Sequence, residues 1–239
     1  MNPLIVTAKR CLPPATLARL RIVTRRLGLP RWGNLRRLEP FSSYYGFDRG
    51  TPVDRYYLNR FLEAHTADVR GDVLEIQEST YTRRYGSELR SCHTIDLNPR
   101  FSPTYLCDLA AADVVPSDRY DCFLLPNTLC VLRDIRACLR QALRVVKPGG
   151  VVLATTAALG QVEQDGSDYW RLSPAGWKEV AAEVWAGHDF TIEGHGNCVT
   201  AMAALLGLAL EELRQGELDA QDGRYPVLVT LFCRKIGPR

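Results

Sequence analysis

The spacing of apolar positions changes twice along this chain, and each change predicts a different kind of element. Between residues 13 and 28, Leu17, Leu20, Val23 or Thr24 and Leu27 recur every three to four positions, which predicts a helix whose other face is arginine. Gly28 and Pro30 end it, and residues 30–40 read as a linker with turns. A second helix is expected from Pro52 to about residue 69, burying Tyr56 or Tyr57, Phe61 and Leu62. Short apolar runs then alternate with helical ones. Strands are predicted at 71–76, 92–97, 104–109, 120–126, 151–157, 189–194 and 225–235. Between them, helices are predicted at 133–146, from near Ser173 to 185, and from about 199 to 213, with KPGG (147–150) stopping the first of these. Strands separated by helices of 10–15 residues imply a parallel sheet with crossover connections, because parallel neighbours cannot be joined by a hairpin.

A chain of 239 residues fits one large domain with a short extension. The predicted elements divide it into a basic helical extension, 1–40, and an α/β domain, 41–239. Charge follows that division. Residues 1–40 carry nine Lys and Arg against Glu39, a balance of +8, so the remainder carries −5 of the chain's net +3. The basic character belongs to the arm, and no nucleic-acid partner is expected from it. A solvated or packed arm is the plainer reading, and a contact surface for a second copy or a partner enzyme is the other. The eight cysteines form no CxxC pair and no Cys/His cluster with zinc spacing, so no metal site is expected. They read as small buried hydrophobes in a reducing compartment, and without an 18-residue apolar run the protein is expected to be cytoplasmic, with no membrane partner.

In a sheet of this kind a ligand sits at the carboxyl ends of the central strands. Glu75 ends the first predicted strand, and Asp96 ends the second 21 residues later, near the spacing at which a carboxylate meets ribose hydroxyls in nucleotide-binding folds. Asp108 ends the third, where it can accept from an adenine amino group. Arg49 and Arg55 are candidates for anion or sugar contacts, or else brace Asp48 and Asp54. His195 follows the sixth strand and is the one histidine considered as a general base, with Asp165, Asp168 and Tyr169 as alternative proton acceptors. No GxSxG, HExxH or GxxxxGK[ST] motif is present, so serine hydrolase, zinc protease and P-loop readings lack support.

The ordered segments LEI, IDL, CDL, YDCFLLPNTL and LRVVKPGGVVLAT resemble the class I S-adenosylmethionine-dependent methyltransferases over about residues 70–157. YGFDRGTPVDRYYLNRFL (45–62), TYTRRYG (80–86), DYWRLS (168–173) and HGNCVTAMAALLGLALEEL (195–213) are similar to a bacterial subgroup associated with glycan and natural-product assembly. The resemblance implies a Rossmann-like α/β fold, a seven-stranded mostly parallel sheet with helices on both faces. It further implies S-adenosylmethionine held by Glu75, Gln77, Asp96, Leu97, Asp108, Leu109 and Asn127. Arg49, Arg55, Tyr56, Trp170 and Arg171 are expected to contact a small-molecule substrate, which the subgroup suggests is glycosylated. Asp168, Tyr169 and His195 are expected to supply the proton acceptor. One segment departs from the pattern: the loop after Glu75 normally holds glycines, and here Gln77, Ser79 and Tyr81 stand in their place. Gln77 either folds over the cofactor or obstructs it. Three readings therefore stand side by side. The first is a methyltransferase acting on a hydroxyl or amine of a sugar or natural product. The second is a cyclase or isomerase on the same fold, and the third an auxiliary subunit of a biosynthetic enzyme.

Overall fold

The structure, a computed structural model, describes residues 33–163 and 165–237 together with Pro13 and Thr16. The helix expected over 13–28 and any contact made by the basic arm lie outside the described residues. The chain divides into two compact units, Met1–Leu38 and Glu39–Arg239. Of the first, the described part is Pro13, Thr16, a 3-10 turn at Gly33–Leu35 and the residues after it.

The second unit is built on one seven-stranded sheet in the order β3-β2-β1-β4-β5-β7-β6. Its strands are β1 (Arg70–Ile76), β2 (Ser87–Asp96), β3 (Tyr105–Leu106), β4 (Tyr120–Leu125), β5 (Val146–Ala157), β6 (Asp189–His195) and β7 (Leu228–Arg234). Strands β1 to β5 pair in parallel, and β7 runs antiparallel between β5 and β6. Six helices accompany it: α1 (Asp54–Ala64), α2 (Thr80–Tyr85), α3 (Ile135–Val145), α4 (Pro174–Val184), α5 (Cys198–Leu205) and α6 (Gln215–Asp219). The sheet is covered on both faces, and β4 shows why its sequence is an unbroken apolar run. Phe123 and Leu125 pack with Leu139 of α3 and Trp177 of α4 on one face, while Cys122 and Leu124 pack with Leu58 and Leu62 of α1 on the other.

Local signals set the helix ends. Asp134 accepts from the backbone N–H of Ala137 at 2.9 Å to start α3, and Ser173 accepts from Gly176 at 3.2 Å to start α4 behind Pro174. Helix α5 stops eight residues short of the predicted end. Gly207 turns the chain at φ +66°, and a side chain there would meet the Ser42 carbonyl oxygen at 2.4 Å, so residues 41–46 lie against the turn that replaces the helix. The KPGG segment does end α3, but it belongs to β5 rather than to a loop. A Cβ on Gly150 would meet three backbone carbonyl oxygens at 2.9–3.1 Å, so glycine is required where the strand crosses β4.

Among the described residues no helix is long and apolar enough to cross a membrane. No group of three or more His, Cys, Asp or Glu side chains among them could hold a metal ion, and the seven described cysteines are free thiols.

Candidate active site

The carboxyl ends of β1, β2 and β4 and the segment after β3 open onto one cavity of about 590 Å³. Glu75, Gln77, Asp96, Leu97, Asp108, Leu109 and Asn127, drawn from four segments separated in sequence, all line it. Asp96 accepts from the backbone N–H of Asn98 through Oδ1 alone, and Asp108 accepts from Ala110 at 2.8 Å, capping the 3-10 turn Leu109–Ala111. Each carboxylate is thereby held in place with its second oxygen free of any hydrogen bond among the described residues. Leu97 is exposed and Leu109 buried, giving the cavity apolar walls beside those carboxylates.

Glu75 does something different. It is buried, and its carboxylate accepts from the backbone N–H of Tyr81 at 3.0 Å and of Thr82 at 2.8 Å, and from the Thr82 hydroxyl at 2.6 Å. Burial raises its pKa above the ordinary carboxylate value, and the three donors only partly offset that. Glu75 therefore organises the turn into α2 that forms one wall.

The loop between Glu75 and α2 keeps a glycine-like path without glycine. Gln77 sits at φ +66°, its N–H bonded to the Ile95 carbonyl at 2.9 Å. The backbone thus takes the left-handed conformation that the usual glycine supplies, and the added side chain lines the cavity without filling it. Asn127, after β4, is also left-handed at φ +47°. Its N–H donates to the Thr155 hydroxyl at 2.9 Å, that hydroxyl donates back to Asn127 Oδ1 at 3.0 Å, and Asn127 Nδ2 donates to Asp54 Oδ2. Backbone strain at two residues on one cavity is the pattern found at functional sites.

A second, smaller cavity of about 220 Å³ adjoins the first, and Phe47, Arg55, Asn127 and Val131 line both. Its polar groups are Asp54 and Arg55 at the start of α1, Glu163 bonded to the Tyr45 hydroxyl at 2.8 Å, and the ion pair of Asp168 with Arg171. Burial, followed by the bond to Glu163, raises the Tyr45 phenol well above its ordinary pKa and keeps it a donor. Asp168 Oδ1 and Arg171 Nε are enclosed without partners. Asp54, Thr155, Glu163 and Tyr45 were not among the residues expected from sequence. Asp54 stood in the sequence as a brace for Arg55, which it is, but its tie to Asn127 appears only when α1 is packed against β4.

Five expected residues lie elsewhere. His195 hydrogen bonds the Thr230 hydroxyl at 2.8 Å, stacks on Tyr57 and lines a different cavity between α1 and the β6–β7 pair; burial lowers its pKa. The side chains of Tyr169 and Trp170 leave the site, Tyr169 to accept from Arg133 at 3.3 Å and Trp170 to donate to the Leu132 carbonyl at 2.9 Å. Arg49 pairs with Glu212, and Tyr56 donates to Asp219. These five line neither of the two adjoining cavities.

Residues 76–154, from the last residue of β1 into β5, match the model of the family described as "Methyltransferase domain". That match spans 79 of the 239 residues, and the fold around it is the α/β fold of solved methyltransferase structures. The fold recurs in a chain of the complex between the Haloferax volcanii Trm112 methyltransferase activator and its methyltransferase. There the TM-score is 0.53 with 16% identity, covering 77% of this chain and 92% of that one. It recurs too in an S-adenosylmethionine-dependent methyltransferase from Archaeoglobus fulgidus, with a TM-score of 0.51, 12% identity and coverage of 77% and 93%. No curated protein matches by sequence. The larger cavity combines two carboxylates, each with one oxygen free to accept hydrogen bonds, with the apolar walls of Leu97 and Leu109 and the left-handed backbone at Gln77.

Proposed function

We infer that this protein is an S-adenosylmethionine-dependent methyltransferase that modifies a hydroxyl or amine of a small molecule, a sugar or glycosylated natural product. What carries the reading is the junction of two cavities. The larger has the acceptors and apolar walls suited to the cofactor, and the smaller meets it at Asn127 and Arg55 with paired carboxylates, arginines and aromatic rings suited to a polar acceptor. Methyl transfer demands chiefly that the nucleophile and the methyl group be held in line, and S-adenosylmethionine, when bound, supplies the reactive methyl. The chain's part is then to fix the ribose through Asp96, the base through Asp108, Leu97 and Leu109, and the acceptor in the smaller cavity. Of the proton acceptors read from sequence, Asp168 is the one lining that cavity.

Calorimetric titration with S-adenosylmethionine and S-adenosylhomocysteine tests this. Saturable binding in the range of about 1 μM to 1 mM is expected, and Asp96→Ala should weaken it far more than Asp165→Ala, since Asp165 only accepts from the nearby Ser167 N–H. Absence of binding at millimolar cofactor, or equal effects of the two substitutions, would discredit the assignment.

A further inference from the structure

We propose that Asp54 accepts the proton of a hydroxyl acceptor, so that the smaller cavity serves O-methylation of a neutral, hydroxylated ring. This rests on the methyl-transfer reading above and commits it to one acceptor class and one residue.

Three carboxylates line the smaller cavity, and their bonding separates them. Glu163 is bound to Tyr45 and does not reach the larger cavity. Asp168 is 3% exposed, with Oδ2 on Arg171 and Oδ1 enclosed, so neither oxygen is open to a substrate. Asp54 also lines the smaller cavity alone, but its hydrogen-bond partners set it apart. Its Oδ2 accepts from Asn127 and from Arg55, two of the four residues that line both cavities, while Oδ1 accepts no hydrogen bond among the described residues. The Thr155 hydroxyl fixes Asn127 from behind, so the carboxylate is held by groups with fixed positions of their own. Of the three carboxylates it is the one bonded to residues that line both cavities.

The chemistry selects the hydroxyl. As the acceptor oxygen bonds to the methyl carbon, the carbon–sulfur bond breaks with its electron pair remaining on sulfur. The acceptor's proton passes to Asp54 Oδ1 and then to solvent. A protonated ether is a far stronger acid than a carboxylic acid, so a carboxylate held by Arg55 and Asn127 is basic enough to take the proton. An amine reaches the site at neutral pH as an ammonium with no lone pair to give, and a carboxylate beside it stabilises that unreactive form.

The test uses the full chain with S-adenosylmethionine and a panel of methyl pyranosides (gluco, galacto, manno) with their amino-deoxy counterparts. Formation of S-adenosylhomocysteine is followed, and saturation-transfer NMR reports sugar binding to the S-adenosylhomocysteine complex. At least one pyranoside should be methylated on oxygen in preference to its amino counterpart. Asp54→Asn should lower kcat by about 100-fold or more and leave S-adenosylhomocysteine affinity unchanged. Asp54→Glu, which keeps the carboxylate, should recover part of the rate and guards against a folding defect, as does the melting curve of each variant. Cofactor binding without turnover or NMR contact for any pyranoside, preference for the amino sugars, or full activity in Asp54→Asn overturns the assignment. Failure of the wild-type protein to bind cofactor at all overturns the methyl-transfer reading with it.

Discussion

At the scale of single residues, the most informative position is Gln77, because its backbone obeys a rule its side chain breaks. A left-handed conformation costs an L-residue roughly 1–2 kcal/mol, and this one is held by the bond from Gln77 N–H to the Ile95 carbonyl. Gln77→Gly removes the strain but adds freedom to the unfolded chain, so a net gain of about 0.5 kcal/mol is expected. Gln77→Val, with a branched Cβ, should lose about 1–2 kcal/mol. Urea unfolding midpoints decide the matter, and a valine variant as stable as wild type would mean the loop relaxes out of this conformation. The sequence showed that glycine was missing here but not that its conformation persisted, since that depends on β2 presenting a carbonyl. The same limit explains the run 168–171. All four residues were read as a block, yet Asp168 and Arg171 turn inward together while Tyr169 and Trp170 reach Arg133 and Leu132. Proximity in the chain locates the segment; Tyr169 and Trp170 are drawn away by partners more than 30 residues distant, while Asp168 and Arg171 hold each other and Arg171 donates to the Ala157 and Gln161 carbonyls.

Among elements, those with a strong apolar period were legible and those made by a single polar contact were not. Strands β1, β4 and β5 and helix α3 follow from their periodicity, whereas α2 has the sequence TYTRRY, with no amphipathic repeat and six residues. Its first turn exists because Glu75 accepts from Tyr81 and Thr82, which needs both carboxylate oxygens as acceptors. Glu75→Gln replaces one acceptor by a donor facing donors. It should cost about 2 kcal/mol and speed amide hydrogen exchange over residues 80–85 more than in α1. Unchanged exchange in α2 would show that packing of Tyr85, rather than Glu75, holds the helix. Strand β2 likewise begins five residues before its apolar run, because the mostly polar segment Ser87 to Ser91 is recruited by pairing of Ser87, Leu89 and Ser91 with Arg70, Gly71 and Asp72 of β1. Pairing across a sheet is a tertiary event that no local period records.

On the scale of the whole molecule, the sheet separates two jobs. Its carboxyl ends carry the strained, open residues of the site, and its amino ends carry a compact charge network. There Asp72 accepts from Ser91 at 2.8 Å and pairs with Arg90, Arg119 and Lys147, while Asp121 shares Arg90 and Lys147. Burial alone would raise the Asp72 pKa, but the bonds from Ser91, Lys147, Arg90 and Arg119 outweigh it and hold the carboxyl well below its ordinary value. A folded-state pKa below the unfolded value of about 3.9 stabilises the fold fully at pH above that value, and the contribution is lost as pH falls toward the folded pKa. Asp72→Asn should therefore lower stability at neutral pH by about 2–3 kcal/mol, since it leaves Arg119 without a carboxylate and Arg90 and Lys147 with Asp121 alone. The deficit should shrink steadily as both proteins are taken from about pH 5 to about pH 2, because acid removes from the wild type what the substitution has already removed. Urea midpoints across that range report the difference directly. Asp68 and Asp121, also depressed, titrate in both proteins and cancel in the comparison, provided Asp121 keeps Lys147 and Arg90. A deficit that stays constant with pH would mean that Asp72 contributes through its hydrogen bonds and shape, and not through its charge.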